Sequence, residues 1–454
     1  VIVIGAGSAG LVSSYIASAV KAKVLLIEKY KMGGDCLNTG CVPSKALIRS
    51  AKMLSYAKRA KEFGFKKTEV KFEFQDIMKR VQSIIKSIEP NDSRDRYTKL
   101  GVDCIDGIGK LVSPHKVEVK GKILTARSII IATGARSREL PNLPQDGVKV
   151  IGYRLAMTLA TQPKSMIIVG SGAIGVEFAH FYNSMGTQVT LVEFMPNIVP
   201  VEDEDISKQM ERSMKKAGVT IMTNSSVEKI DTSGSGVKAY VKTAKGEEVL
   251  EADILLSAVG IKTNLENIGL EEVGIATDRD KIIVNDFYQT NIPGYYAIGD
   301  VVPGPALAHV ASAEGITCIE KIAGLHVDPI DYGNIPGCTY ATPEIASVGL
   351  TEKQAKEKGY DLKIGKFPFT ASGKAKASGT PDGFVKVIFD AKYGEWLGCH
   401  MIGAGVTDMI AEAVVARKLE TTGHEILKAI HPHPTMSEAV MEAVADAYGE
   451  VIHL

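Results

Sequence analysis

The most specific chemistry in this chain is offered by two cysteines five residues apart, Cys36 and Cys41, in the stretch Gly33-Gly34-Asp35-Cys36-Leu37-Asn38-Thr39-Gly40-Cys41-Val42-Pro43-Ser44-Lys45. The other four, Cys104, Cys318, Cys338 and Cys399, are scattered singly. Six cysteines in 454 residues are too few for a secreted disulfide framework, so a reducing compartment fits best. In that setting a close pair is more often catalytic or metal-binding than structural. Zinc would need a second Cys/His pair at ligand spacing, and none is present. We read a redox couple that makes and breaks a disulfide; two packing cysteines are the plainer alternative. On an ideal helix a five-residue offset separates Cα atoms by about 8.6 Å, beyond the ~7 Å a disulfide tolerates. The helix must therefore be distorted between them, and Gly40 and Pro43 are residues that permit it.

The elements that would position the pair come from a duplication. Val1-Ile2-Val3-Ile4-Gly5-Ala6-Gly7-Ser8-Ala9-Gly10 returns as Met166-Ile167-Ile168-Val169-Gly170-Ser171-Gly172-Ala173-Ile174-Gly175. Each copy is an apolar strand entering a glycine turn, then a helical stretch, then a second apolar strand ending in an acid, Glu28 or Glu193, 23 residues after the first glycine. The first glycine makes the tight turn, the second lets backbone approach a pyrophosphate, and the third packs helix on strand. Backbone N–H groups at the helix start hold the phosphates, and the acid accepts from an adenosine ribose. A lone glycine pattern is weak; two complete β-α-β units, each with its acid, predict two dinucleotides on one chain. Glu193 favours NADH over NADPH, because Phe194-Met195-Pro196-Asn197 offers no cation for a 2′-phosphate.

Composition narrows the partners. Lys+Arg and Asp+Glu balance at 53 each, so no global field draws nucleic acid or an anionic membrane surface. No apolar run approaches the ~20 residues of a membrane span. Val1 falls inside an expected strand, so preceding residues, including a cleaved targeting peptide, fit the pattern. Residues 45 to 99 read as helices with Lys-rich outer faces, followed by short strands around Val117-Glu118-Val119. Ser128 to Gly134 and Tyr296 to Asp300 are further buried strands meeting turns, and from about Asn334 the pattern changes to a separate unit ending in a helix over 437–448.

The cysteine segment resembles the active-site motif of the pyridine nucleotide-disulphide oxidoreductases, and the likeness extends through both dinucleotide units, Ala132-Thr133-Gly134, Tyr296 to Asp300, and His431-Pro432-His433-Pro434-Thr435-Met436-Ser437-Glu438. It implies an α/β fold of two Rossmann-like, glutathione reductase-like domains plus a C-terminal α+β dimerisation domain. The expected boundaries are 1–148 with 271–333 for FAD, 149–270 for NAD, and 334–454 for the interface. FAD would lie on Gly5, Gly7, Gly10, Glu28, Gly34, Lys45, Gly109, Thr133, Gly134, Asp300 and Ala308; NAD on Gly170, Gly172, Ile174, Gly175, Glu177, Glu193 and Gly260.

The same resemblance makes Cys36 the thiol that meets substrate and Cys41 the thiol against the flavin, and it places Lys45 and Glu177 as an ion pair beside the flavin. His433, oriented by Glu438, becomes the base, supplied by the partner subunit of a homodimer, with His431 as its rival. No metal is implied. The C-terminal segment points to oxidation of a dihydrolipoyl group with NAD⁺, serving lipoyl domains of 2-oxoacid dehydrogenase E2 components or the glycine-cleavage H protein, in the cytoplasm or a mitochondrial matrix. A mercuric or other NAD(P)H-dependent disulfide reductase is the alternative; the last cysteine, Cys399, is no C-terminal vicinal pair. Two positions depart from the family pattern: Asp35 where Thr is usual, and Gly260-Ile261-Lys262-Thr263-Asn264 for Gly-Arg-x-Pro. Asp35 is expected to raise the thiol pKa or shift the flavin potential.

Overall fold

The three residues of β1 (Ile2–Ile4) alternate between two buried faces, which explains why the strand reads as continuously apolar. Ile2 and Ile4 join Ile27, Ile129, Ile131, Leu111, Val117 and Val119 on one side. Val3 joins Leu26, Ile130, Ala9, Ala17, Ala311, Cys318 and Ile319 on the other. The first face is covered by an antiparallel meander (Lys110–Ser113, Lys116–Val119, Lys122–Thr125), the second by α1 (Ser8–Ala19) and the helix Ala308–Ile322.

This computed structural model describes residues 1–66 and 69–453. Its first sheet is wholly parallel, in the order Tyr295–Ala297, Ile129–Ile131, β1, β2 (Val24–Glu28), Val102–Asp106, with Ile2 opposite Leu25 and Ile4 opposite Ile27. The second repeats the plan: Thr220–Met222, Gln188–Val192, Ser165–Val169, Ile254–Ser257, Val150–Ile151, with Met166 opposite Val189. It too carries a three-stranded antiparallel meander, Ser226–Asp231, Val237–Thr243 and Gly246–Ala252. The duplication read in the sequence is thus a duplication of architecture.

The chain divides into two compact units. One comprises Val1–Ala46, Met78–Arg138 and Gly260–Tyr332 and holds the first sheet. The other comprises Leu47–Ile77, Glu139–Val259 and the chain from Gly333 onward. It holds the second sheet and a five-stranded antiparallel sheet, Gly337–Thr339, Glu344–Gly349, Trp396–Gly403, Phe384–Asp390, Leu362–Pro368. Helices Val406–Lys418 and Glu438–Ala447 pack on this last sheet over Val385, Val387, Phe389, Trp396 and Met401, with Phe389 stacked on Trp396 at 5.3 Å. Among the described residues no helix is long and apolar enough to cross a membrane.

Within the second unit an ion cluster ties the start of helix Glu204–Lys216 to the C-terminal antiparallel sheet. Lys386, on strand Phe384–Asp390 and 3% exposed, donates to Asp203 (2.9 Å), Asp205 (3.1 Å) and Glu352 (2.7 Å). Asp203 also caps helix Glu204–Lys216 and accepts from the Glu352 backbone. Buried charges hold only while each has its partners. Lys386→Met should therefore cost about 3–5 kcal/mol by stranding Asp203, read as a lowered thermal midpoint.

Glu202, next to Asp203, has a second carboxylate oxygen that is buried with no partner among the described residues. Burial pushes its pKa up to about 7, against a hydrogen bond from Ser347 and with help from the Asp203 charge. Between pH 4.5, its ordinary value, and about 7 the folded chain therefore binds more protons than the unfolded one, so stability falls as pH rises through that window. Glu202→Gln should raise stability by about 1–3 kcal/mol at pH 8 and by nothing below pH 4.5, checked by denaturation at both pH values.

Candidate active site

The cysteine segment is two helices rather than one. α2 (Gly34–Asn38) stops at Thr39, whose φ of −145° leaves the helix, and α3 (Cys41–Lys58) starts again after Gly40. The stop is built locally: the Thr39 N–H and hydroxyl both bond Asp35, to its carbonyl and its carboxylate, each at 2.9 Å. Gly40 is required there, since a Cβ would lie 2.8 Å from the Asp35 carbonyl oxygen. Pro43 falls in the first turn of α3, where its missing N–H is no loss. The break does what the spacing demanded, and the Cys36 and Cys41 thiols share a hydrogen bond.

The segment is docked on the first glycine turn. The Gly33 N–H donates to the Ala6 carbonyl at 2.9 Å, and a Cβ on Gly34, whose φ is +54°, would sit 2.6 Å from the Gly7 Cα. Both glycine turns share one geometry. A Cβ on Gly10 would meet the Gly5 carbonyl oxygen at 1.8 Å, and one on Gly175 the Gly170 oxygen at 1.9 Å. Gly7 and Gly172 begin their helices with no side-chain cap, so the first-turn N–H groups are left for an outside acceptor. Nothing lies within 4 Å of where a Cβ on Gly172 would be, room that backbone contact with a pyrophosphate needs.

The acids also match. Glu28 accepts from the Ala6 and Tyr30 N–H groups at 2.7 Å each. Glu193 accepts from the Ser171 N–H (2.8 Å) and hydroxyl (2.6 Å) and from the Met195 N–H (2.7 Å). Each carboxylate is thereby aimed and still has lone pairs for a ribose. The residues present fit two dinucleotides.

The remaining expected flavin residues fall in the same unit. Thr133 and Asn264 exchange hydrogen bonds at 2.9 Å, and the Asn264 N–H donates to the Gly134 carbonyl. Thus Asn264, next to the Gly260-to-Thr263 stretch that departs from the family pattern, pins the turn after Ile131. Asp300 sits in the short helix Gly299–Val301; burial raises its carboxyl, Lys281 opposes this and Asp35 adds to it. Ala308 opens helix Ala308–Ile322, Gly109 lies against Ile4, and Lys45 is one turn beyond Cys41. In the other unit Ile174 and Glu177 lie on helix Ala173–Met185, where the buried Glu177 accepts from the Tyr340 N–H at 2.9 Å. Gly260 has a φ of +108° and open space where a side chain would go.

The two candidate bases have opposite surroundings. The His431 side chain is 8% exposed, with Nε2 on Glu412 (2.7 Å) and Nδ1 on the Ala429 carbonyl (3.0 Å), so neither ring nitrogen is available. The His433 side chain is 81% exposed; its Nδ1 meets Glu438 at 2.8 Å, and the other Glu438 oxygen accepts from the Thr435 N–H.

Sequence reasoning missed the walls around Cys36. A cavity of about 420 Å³ is lined by Cys36, Ser8, Tyr15, Asp92, Arg96 and Tyr97, with Leu11, Val12, Leu37, Val42 and Ile88 supplying apolar surface. The Cys36 thiol is held far above its ordinary pKa by its hydrogen bond with Cys41, by burial and by the Asp92 carboxylate, while a hydrogen bond from Ser8 opposes them. The acid that acts on Cys36 is thus Asp92. Asp35, the neighbour in sequence, is engaged by Thr39.

The family model of the pyridine nucleotide-disulphide oxidoreductases matches residues 1–315, and that of the family's dimerisation domain matches 335–444. The chain belongs to this family of oxidoreductases, and its cofactors are FAD and NAD(H). It is 45% identical over 475 residues to a dihydrolipoyl dehydrogenase of Rhizobium etli and 44% identical over 459 residues to one of Zymomonas mobilis, in both cases across 100% of this chain and 98% of the relative. The solved structure of LpdA from Mycobacterium tuberculosis superposes with a TM-score of 0.90 at 28% identity, covering 98% of each chain.

Gly34→Ala tests the docking of the cysteine segment. The positive φ and the clash with Gly7 should cost about 1–3 kcal/mol, and the protein should purify with less than one FAD per chain, measured by absorbance.

Proposed function

We propose that this chain oxidises protein-bound dihydrolipoamide to lipoamide and passes the electrons to NAD⁺. The observation that carries the reading is the cavity that opens on Cys36: five aliphatic side chains line it, as a dithiolane ring and its arm would require. Full-length similarity to dihydrolipoyl dehydrogenases supports the same substrate. A mercuric or glutathione-type reductase is less well served by such walls.

A substrate thiolate attacks Cys36 of the oxidised pair, the Cys36–Cys41 bond breaks, and Cys41 leaves as thiolate. The second substrate thiolate then attacks the mixed disulfide at its substrate sulfur, lipoamide forms, and Cys36 leaves. Two protons must come off the substrate, and a base near neutral pH has to take them. His433 suits that role, with Nδ1 fixed on Glu438 and Nε2 turned to solvent. Ser8 holds the Cys36 sulfur as charge comes and goes. FAD and NAD supply the two-electron transfer that reoxidises the pair. Lys45 and Glu177 would each serve that transfer, as the family resemblance implies.

The dimerisation domain and the exposed Ile430, three residues before His433, support a homodimer in which each subunit lends His433 to the other's Cys36. Partners would be lipoyl domains of 2-oxoacid dehydrogenase E2 components or the glycine-cleavage H protein, in a bacterial cytoplasm or a mitochondrial matrix.

Purified enzyme should reduce NAD⁺ with dihydrolipoamide and prefer lipoamide to Hg²⁺ or oxidised glutathione as NADH oxidant; preference for either of those sinks the reading. His433→Gln should lower kcat about 10²–10⁴-fold, whereas His431→Gln should act chiefly on thermal stability.

A further inference from the structure

Asp92 ends the short helix Glu89–Asp92 and its carboxylate stands in the Cys36 cavity, with one oxygen 3.1 Å from where a Cβ on Gly33 would be. It accepts no hydrogen bond and makes no ion pair among the described residues. Arg96, exposed, donates to the Asn91 carbonyl and lies over the Tyr97 ring at 6.0 Å; burial raises the Asp92 carboxyl and the Arg96 charge offsets part of that rise without pairing with it. Two other titratable groups on the walls, Tyr97 and Cys36, have raised pKa values and are uncharged in the dithiol form near neutral pH. The Asp92 field reaches the Cys36 sulfur, where it adds to the rise that the Cys41 hydrogen bond and burial cause, and it reaches the Tyr97 phenol, which also lines the cavity. A half-buried carboxylate left without partners, beside a nucleophile and among aliphatic side chains, is where substrate recognition is expected.

Its charge works against the thiol's own reactivity, so its use must lie in what it admits. We propose that Asp92 is the selectivity residue of the Cys36 cavity: its unpaired carboxylate admits uncharged dithiols and turns away anionic ones, so that dihydrolipoamide, an amide, is used in preference to free dihydrolipoate. This rests on the reading of Cys36 as the thiol that meets substrate. A protein-bound lipoyl group is always an amide; the free acid carries a carboxylate into the same apolar space. Like charges at such range are discriminated by interaction energy rather than by shape, and the unpaired oxygens of Asp92 are open to the amide N–H that the acid lacks.

The test uses two pairs of probes that differ in charge alone. In reduced holoenzyme, Cys36 is alkylated with iodoacetamide or with iodoacetate, and the rate is followed by mass spectrometry of the Cys36 peptide. In turnover, dihydrolipoamide is compared with dihydrolipoate. Wild-type Cys36 should prefer the neutral reagent on the order of tenfold more strongly than a small free thiol does. Asp92→Asn should erase most of that preference and raise kcat/KM for dihydrolipoate relative to dihydrolipoamide by a similar factor, while Asp92→Glu keeps both ratios. Unchanged ratios in Asp92→Asn overturn the proposal. If that variant does not fold, Arg96→Gln takes its place: removal of the cation should strengthen the preference, and an unchanged preference overturns the proposal. A preference that collapses in Asp92→Asn, with neither dithiol turned over, would uphold Asp92 as the charge filter and overturn dihydrolipoamide as the substrate.

Discussion

Two side chains five residues apart cannot touch along a helix, and everything at this site follows from how the chain evades that limit. The break at Thr39 and Gly40 brings the Cys36 and Cys41 thiols into contact, and it is held by a few short bonds: the Thr39 N–H and hydroxyl on Asp35, and the close approach of Gly40 to the Asp35 carbonyl. The Asp35 side chain therefore has a structural use as a helix stop, and the hydroxyl of Thr39 is its complement. A residue lacking a short acceptor at position 35 would leave the Thr39 hydroxyl without this bond.

The broken helix would still be useless if it were not registered against the cofactor turn. That registration is made by backbone alone, through the Gly33 N–H on Ala6 and the contact of Gly34 with Gly7. Backbone contacts of this kind leave no side-chain rotamers to adjust, so the distance between the phosphate-binding turn and the thiols is fixed as tightly as a helix pitch. The same economy appears in Glu28 and Glu193. Each spends part of its carboxylate on the N–H groups of its own turn, which orders the turn before any nucleotide arrives and lowers the entropy lost on binding.

Much of this was legible in the sequence because it is local. The duplicated strands, glycine turns and acids lie within single β-α-β units, and the distortion of the cysteine helix follows from spacing alone. The exposed, carboxylate-oriented His433 also sits within one short stretch with Glu438. The environment of Cys36 was not legible, because its cavity is assembled from α1, the cysteine segment and the helices around residues 88–97, far apart in the chain. Adjacency pointed to Asp35 as the acid that would act on the thiol. Through-space packing gives that position to Asp92, and no periodicity or motif around Glu89-Pro90-Asn91-Asp92 signals it. The Lys386 cluster was hidden for the same reason, since Asp203, Glu352 and Lys386 belong to three separate segments.

His431 and His433 show how two chemically identical side chains two residues apart can be given different work. His431 has a partner on each ring nitrogen, and the Glu412 carboxylate, outweighing burial, raises its pKa and favours the charged ring. An imidazole held in this way cannot exchange protons with a substrate without breaking its anchors. His433 keeps a single anchor, on Nδ1, and leaves Nε2 outward. A proton acceptor needs one nitrogen fixed and the other available, so the division between anchor and base is set by hydrogen-bond count rather than by sequence position. Burial follows from the same division: the ring that braces the fold is enclosed, and the ring proposed as the base lies where another surface can reach it.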